Sequence, residues 1–139
     1  MTATDALRSG SELSTQRYRV TRAHLVAYAG ASGDQNPIHW SDRVATAVGL
    51  PGVVAHGMFT MALGSRALTA WTGDPGRVLE YGVRFTRPLV VPDDDEGVEV
   101  MVDGVVGEVA DGRARIDLTV TSAGAKLLGQ ARATVAVDA

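Results

Sequence analysis

Between Val44 and Ser65 the chain runs twenty-two residues without an Asp, Glu, Lys or Arg. A run of that kind has two destinations, a bilayer or a protein interior. Its length would allow a transmembrane helix. Its content does not: Gly49-Leu50-Pro51-Gly52 breaks it in the middle and His56-Gly57 breaks it again, and neither piece could cross hydrocarbon with its backbone bonds satisfied. No membrane span is expected, so these residues must lie deep in a folded domain. The later piece, Gly57 to about Ala70, reads as one helix whose first nine residues carry no charge on any face. Such a helix has to be wrapped on several sides.

The wrapping material follows. Leu79, Tyr81, Val83 and Phe85 alternate with Glu80, Gly82, Arg84 and Thr86 at strand period. Val98, Val100 and Val102 alternate with Glu99, Met101 and Asp103, and Ala114, Ile116, Leu118 and Val120 with Arg113, Arg115, Asp117 and Thr119. Asp111-Gly112 is a two-residue hairpin turn, and Ser122-Ala123-Gly124 supplies the next. A last strand, Lys126 to Val137, puts Leu127, Gly129, Ala131, Ala133, Val135 and Val137 on one face, small enough to admit a close neighbour. Upstream, Gln16 to Val20 is a short strand, and Thr21 caps a helix over Arg22 to Ala29 that ends in the flexible run Gly30-Ala31-Ser32-Gly33. Pro37 makes Asp34 to Trp40 a non-helical connection, and Ser41 caps a short helix to Val48, closed by Gly49. Residues 1–15 are expected to be a loose tail.

Helices first and an antiparallel meander afterwards give an α+β class, a curved sheet around one central apolar helix. The 139 residues suit a single domain spanning 1–139. With 45% hydrophobic but only 5% aromatic residues, and with twenty Ala and nineteen Val, the core must be built from small and β-branched side chains. A net charge of −3 leaves no basic excess for a phosphate backbone, so nucleic acid is not an expected partner. The absence of cysteine removes disulfides, thiolate zinc sites and thiol nucleophiles, and fits a cytoplasmic location. Met1 to Glu12 carries no apolar run of the kind a secretory signal needs.

Candidate chemistry concentrates in Gly33-Asp34-Gln35-Asn36-Pro37-Ile38-His39. Asp34 and His39 flank a proline that stiffens the connection. A carboxylate and an imidazole converging there could hold one water and move its protons. On spacing alone the alternative stands beside it: an Asx turn at Asp34 or Asn36 with a solvated His39. A second cluster, Ala55-His56-Gly57-Met58, opens the apolar helix. The free N–H groups at a helix N-terminus suit a carbonyl oxygen gaining negative charge, and Gly57 permits close approach. Alternatively Gly57 only relieves crowding and His56 is a hydrogen-bonded core histidine. Asp34, His39 and His56 could also be read as a two-His-one-carboxylate metal set, but no HxxxH or HExxH spacing supports it and no metal is expected. Ser65 lacks the second glycine of a nucleophile elbow, Gly30 to Gly33 lacks the Gly-Lys-Ser/Thr of a phosphate loop, and His24 is expected at the surface.

Tyr28-Ala29-Gly30-Ala31-Ser32-Gly33-Asp34-Gln35-Asn36-Pro37-Ile38-His39, with Ala45 six further on and then Ala55-His56-Gly57-Met58, resembles the hydratase-2 motif of MaoC-like dehydratases and (R)-specific enoyl-CoA hydratases. Asn36 to Trp40, Trp71 to Gly76 and Glu80 to Thr86 are further similar to the catalytic subunit of mycolate-pathway (3R)-hydroxyacyl-ACP dehydratases, a likeness running from about Tyr18 to the C-terminus. Ala31 departs from that pattern, which has a larger branched residue before Ser32. The resemblance implies a single hot-dog fold, a homodimer or a heterodimer with another hot-dog subunit, and an acyl-CoA or acyl carrier protein thioester as substrate. It implies Asp34 and His39 as the catalytic pair and the Gly57 N–H as oxyanion donor. His56 and Asn36 would join Gly57 in binding the oxyanion or the substrate, with Asn36 steadying the loop or the water. No cofactor is implied. Two other readings remain on the same fold, a non-catalytic acyl-thioester-binding subunit and a thioesterase. The first would lack the aspartate or the histidine, and the second usually wants a carboxylate on the central helix, where Gly57 to Ala70 has none.

Overall fold

Small side chains let one helix lie close against a curved sheet, and that contact organises the molecule. The computed structural model describes residues 7–138. The chain forms β1 (Gln16–Val20), α1 (Arg22–Ser32), a 3-10 turn (Pro37–His39), α2 (Asp42–Ala47), α3 (Gly57–Thr72), a second 3-10 turn (Pro75–Arg77), β2 (Val78–Phe85), β3 (Val98–Ala110), β4 (Arg113–Ser122), β5 (Ala125–Lys126) and β6 (Leu128–Ala136). The strands make one antiparallel sheet in the order β1-β3-β4-β6-β2, with β5 added to β4. Helix α3 crosses its concave face, the arrangement of a hot-dog fold.

Two glycines set the approach. A Cβ on Gly64 of α3 would lie 2.1 Å from the Tyr81 hydroxyl, and one on Gly104 of β3 would lie 2.6 Å from the Trp71 ring. The Tyr81 hydroxyl instead donates to the carbonyl of Met61 at 2.9 Å, stitching β2 to α3. Leu63, Ala67, Leu68 and Trp71 of α3 join Val100, Val102, Val106, Ile116, Leu118, Ala131, Ala133 and Val135 in one buried cluster. The Asp111-Gly112 turn is of the expected hairpin type, with φ of 55° and 75°.

Several sequence expectations need correction. Residues 7–15 are not a loose tail: Leu7 is 5% exposed, Gly10 and Leu13 N–H donate to the carbonyls of Val106 and Gly104 at 2.7 and 2.8 Å, and the Trp71 indole donates to Ser14 O at 2.7 Å. Two leucines in an otherwise polar segment, together with these hydrogen bonds, hold it on β3 and α3. Residues 1–6 lie outside the described residues. Gly30 and Ala31 are not a flexible run, since α1 continues to Ser32 and Gly33 caps it at φ 79°. His24 is exposed as expected, but its Nδ1 also accepts from Thr21 N at 2.9 Å and closes the start of α1. The last strand is two pieces. Gln130 takes φ 47° and the pairing with β2 shifts between Gly82 and Arg84, so the inward face passes from Leu128 to Ala131 across a bulge. Helix α3 is wrapped on one side only: Met58 is 57% exposed, and Ala62 and Ala70 are exposed too. On the edge strand β2, Leu79 and Phe85 are 49% and 57% exposed. Among the described residues no helix is long and apolar enough to cross a membrane.

Candidate active site

The Asp34-to-His39 connection folds by serving its own backbone. Asp34 N–H donates to Ser32 Oγ at 3.1 Å, Asn36 N–H to Asp34 Oδ1 at 3.2 Å, and Ile38 N–H to Asn36 Oδ1 at 3.2 Å. The Asx-turn reading is therefore correct for both residues. Its companion is not, because His39 is 7% exposed rather than solvated. Asn36 caps the 3-10 turn, and that turn carries the imidazole inward.

His39 Nδ1 lies 2.7 Å from the carbonyl of Val54. A carbonyl only accepts, so Nδ1 bears the hydrogen, and in the neutral ring Nε2 is the nitrogen that presents a lone pair. That nitrogen is 3.8 Å from Asp34 Oδ2. Asp34 has a side chain 54% exposed, the imidazole 9%, so the pair joins a solvent-facing carboxylate to a sheltered base.

His56 sits at the N-cap of α3 and is 3% exposed. Its Nε2–H donates to the backbone carbonyl of Asp34 at 3.0 Å. Its ring stacks on His39, centroids 3.7 Å apart and planes 21° from parallel. Tyr28 meets the same ring edge-on at 4.8 Å. Gly57 follows as the first residue of α3, where the N–H has no carbonyl a turn earlier to bond. The structure thus brings Asp34, His39, His56 and Gly57 together. Asn36 stands beside them, exposed, on the loop.

One ligand atom from each of Asp34, His39 and His56 falls within 4.8 Å of the others, a convergence their spacing did not announce. It is a poor metal site nonetheless. Metal ligation uses the in-plane lone pair of an imidazole, and two rings stacked face to face direct those pairs along near-parallel planes rather than at one point.

Two clefts meet at Gly57. The larger, about 330 Å³, is lined by Ile38, His39, Val54, Thr60, Leu89 and Leu128 among others. The smaller, about 260 Å³, includes Tyr28, Asp34, His56 and Met58. Gly57 and Phe85 border both, and a Cβ on Gly57 would lie 3.1 Å from the Phe85 ring. Sequence reasoning missed Val54 and Phe85 as site residues. Val54 acts through a main-chain oxygen that every residue has. Phe85 showed only as one apolar residue in an alternating strand.

A neighbouring carboxylate braces this wall. Asp42 accepts from Val53 N–H at 3.0 Å, and one nitrogen of the Arg22 guanidinium, Nη2, donates to its Oδ1 and Oδ2 at 2.8 and 3.0 Å. The Val53 amide first, and Arg22 with it, hold the Asp42 carboxyl below its ordinary pKa.

The family described as "MaoC like domain" matches residues 6–124. Among curated relatives, 3-hydroxyacyl-thioester dehydratase X of Mycobacterium tuberculosis is 42% identical over 74 residues, 53% of this chain and 25% of that protein. This chain therefore spans about a quarter of that relative. A solved structure titled "MaoC-like dehydratase" aligns with a TM-score of 0.93 and 37% identity over 99% of this chain and 42% of the other. The unliganded R-hydratase PhaJ1 of Pseudomonas aeruginosa aligns with a TM-score of 0.81 and 27% identity over 98% of this chain and 86% of its own.

Proposed function

The chain belongs to the MaoC-like domain family, and on that footing we propose that it catalyses reversible hydration between a trans-2-enoyl thioester and a (3R)-3-hydroxyacyl thioester. One observation carries the reading: His39 Nε2 and Asp34 Oδ2 are 3.8 Å apart where two clefts meet at the first residue of α3. Two acceptors at that separation can each accept a hydrogen bond from one water, which keeps its lone pairs free to attack.

In the hydration direction the thioester oxygen accepts from Gly57 N–H, which draws electron density from C3. The water oxygen bonds C3, the C2–C3 π pair moves to form an enolate stabilised at the same N–H, and the Asp34/His39 pair takes a water proton. The enolate collapses as the pair returns a proton to C2, so the pair ends with the protons it began with. Loss of an oxyanion donor typically costs about 3 kcal/mol in the barrier, and positioned proton transfer contributes on the order of 10²–10⁴-fold. The thioester itself activates the α-carbon, so this scheme requires no metal or organic cofactor.

The acyl chain would occupy the larger cleft, whose walls include Ile38, Leu89 and Leu128. We propose a dimer, with this chain itself or with another hot-dog subunit. The exposed Leu79 and Phe85 on the edge strand and Met58 on the uncovered side of α3 support it. We also place the protein in the cytoplasm, on its lack of cysteine, and its substrate on CoA or on acyl carrier protein.

The test is the loss of enoyl-thioester absorbance when the purified chain meets crotonyl-CoA and then a longer enoyl-CoA, with Asp34→Asn as control. Turnover that disappears in the control supports a self-sufficient hydratase. A folded but silent protein that stays silent with its co-purified hot-dog subunit favours the thioester-binding reading. A thioesterase would release free CoA instead; α3 carries no carboxylate to support that chemistry.

A further inference from the structure

His56 moves no proton in this scheme, yet it touches or adjoins each residue that takes part. Its Nε2–H holds the Asp34 carbonyl, its ring lies flat on His39, and its own backbone caps α3 one residue before Gly57. Its carbonyl accepts from Phe59 and Thr60 N–H at 3.0 and 3.2 Å.

The Asp34 loop needs such a tie. It follows a glycine in the left-handed region, and Asp34 Oδ1 is occupied within its own Asx turn. At its Asp34 end the other hydrogen bonds are local or exposed: Asp34 N–H to Ser32 Oγ, and the Trp40 indole to Gln35 O at 3.1 Å, from a residue 53% exposed; the His39 end is tied separately, by Ile38 O and His39 Nδ1 to the backbone of Val54. At the Asp34 end, and among the described residues, the His56 bond is the one that runs to a buried side chain, 22 residues away in sequence.

His56 also carries a cost that packing would not explain. Its Nδ1 is buried without a hydrogen-bond partner among the described residues. A phenylalanine would offer the same flat face with no orphaned nitrogen, so an imidazole here is explained by what Nε2–H does.

We infer that His56 is a positioning residue that locks the Asp34 carboxylate, the His39 ring and the Gly57 amide into one frame. The inference rests on the hydratase reading and deepens it. Its two contacts can be separated by substitution. His56→Phe keeps the stacked face and loses the donor; His56→Gln keeps a side-chain N–H at similar reach and loses the ring.

The experiment uses the full chain, with its hot-dog partner if one is required, and crotonyl-CoA. His56→Phe is expected to lower kcat by about 10²-fold with KM within about threefold, the scale of a catalytic group misplaced by an ångström. His56→Gln is expected to restore about tenfold of that loss. Backbone ¹⁵N order parameters of Gln35 and Asn36 should fall in the Phe variant and recover in the Gln variant. Equal kcat in wild type and His56→Phe overturns the inference, and so does equal impairment of Phe and Gln variants with unaltered loop order. If His56→Phe does not fold, His56→Leu against His56→Gln makes the same comparison. A wild type that hydrates nothing defeats the hydratase reading, while the order parameters still decide whether His56 holds the loop.

Discussion

His39 Nδ1 donates to the Val54 carbonyl across 2.7 Å, and that bond selects Nε2 as the nitrogen free for chemistry. The two roles of the ring can be taken apart. His39→Asn retains a donor where Nδ1 stood; His39→Ala leaves the Val54 oxygen unpaired in a residue 4% exposed. Both should lose hydration by about 10²–10⁴-fold. Only His39→Ala should also lose about 1–3 kcal/mol in urea unfolding. Equal stability of the two variants would remove the bond from the account.

Gly64 and Tyr81 form a coupled pair in the core. Gly64→Ala puts a methyl 2.1 Å from the Tyr81 oxygen and should cost about 1–3 kcal/mol. With Tyr81→Phe present the oxygen is gone and the nearest ring carbon stands at 3.1 Å. The double variant should therefore be less destabilised than the two singles predict, with a coupling of about 0.5–3 kcal/mol. Strict additivity in thermal unfolding would count against this packing.

Stability should fall at both ends of the pH scale for separate reasons. Burial pushes the Tyr81 hydroxyl from its ordinary 10.0 up to about 12. The unfolded chain releases that proton first, so stability is intact below about pH 10 and declines as pH rises toward 12. Tyr81→Phe should flatten that decline. Asp42 is the opposite case: its carboxyl is held below the ordinary 3.8, so its contribution is present above that value and disappears as pH falls through the folded-state value. Asp42→Asn should reduce the acid dependence, read from urea midpoints across pH 2–5.

Phe85 stands between the two clefts at Gly57. Phe85→Ala should join them and favour longer acyl chains, raising kcat/KM for an octenoyl over a crotonyl thioester by about tenfold, the scale of a few methylene contacts. An unchanged ratio would show that Phe85 does not partition the space.

Ala114, Ile116, Leu118 and Val120 could be read straight from the sequence, because strand side chains repeat every two residues and all four are buried. Gln130 could not. A bulge at a non-glycine residue with φ 47° leaves no compositional mark, and the alternation expected over Lys126 to Val137 slipped there. Leu7 and Leu13 were too few to distinguish a bound segment from a tail. At the site, the Asp34 and His39 motif was visible, and so was the glycine of α3. The bond from His56 Nε2 to the Asp34 carbonyl was not, since it depends on the α3 N-cap packing against a loop 22 residues earlier. Val54 left no trace, since its part is played by a carbonyl.

Both imidazoles are oriented by main-chain oxygens, those of Val54 and Asp34, and a main-chain oxygen survives any point substitution. Ile38, Leu89 and Leu128 form the cleft wall without supplying a side-chain polar atom to that scaffold. The lining can therefore drift in size and shape over evolutionary time while the reacting groups keep their places. On the hydratase reading, substrate range and reactivity rest on separate sets of atoms, and a library confined to the wall is expected to sample new acyl chains without re-solving the chemistry.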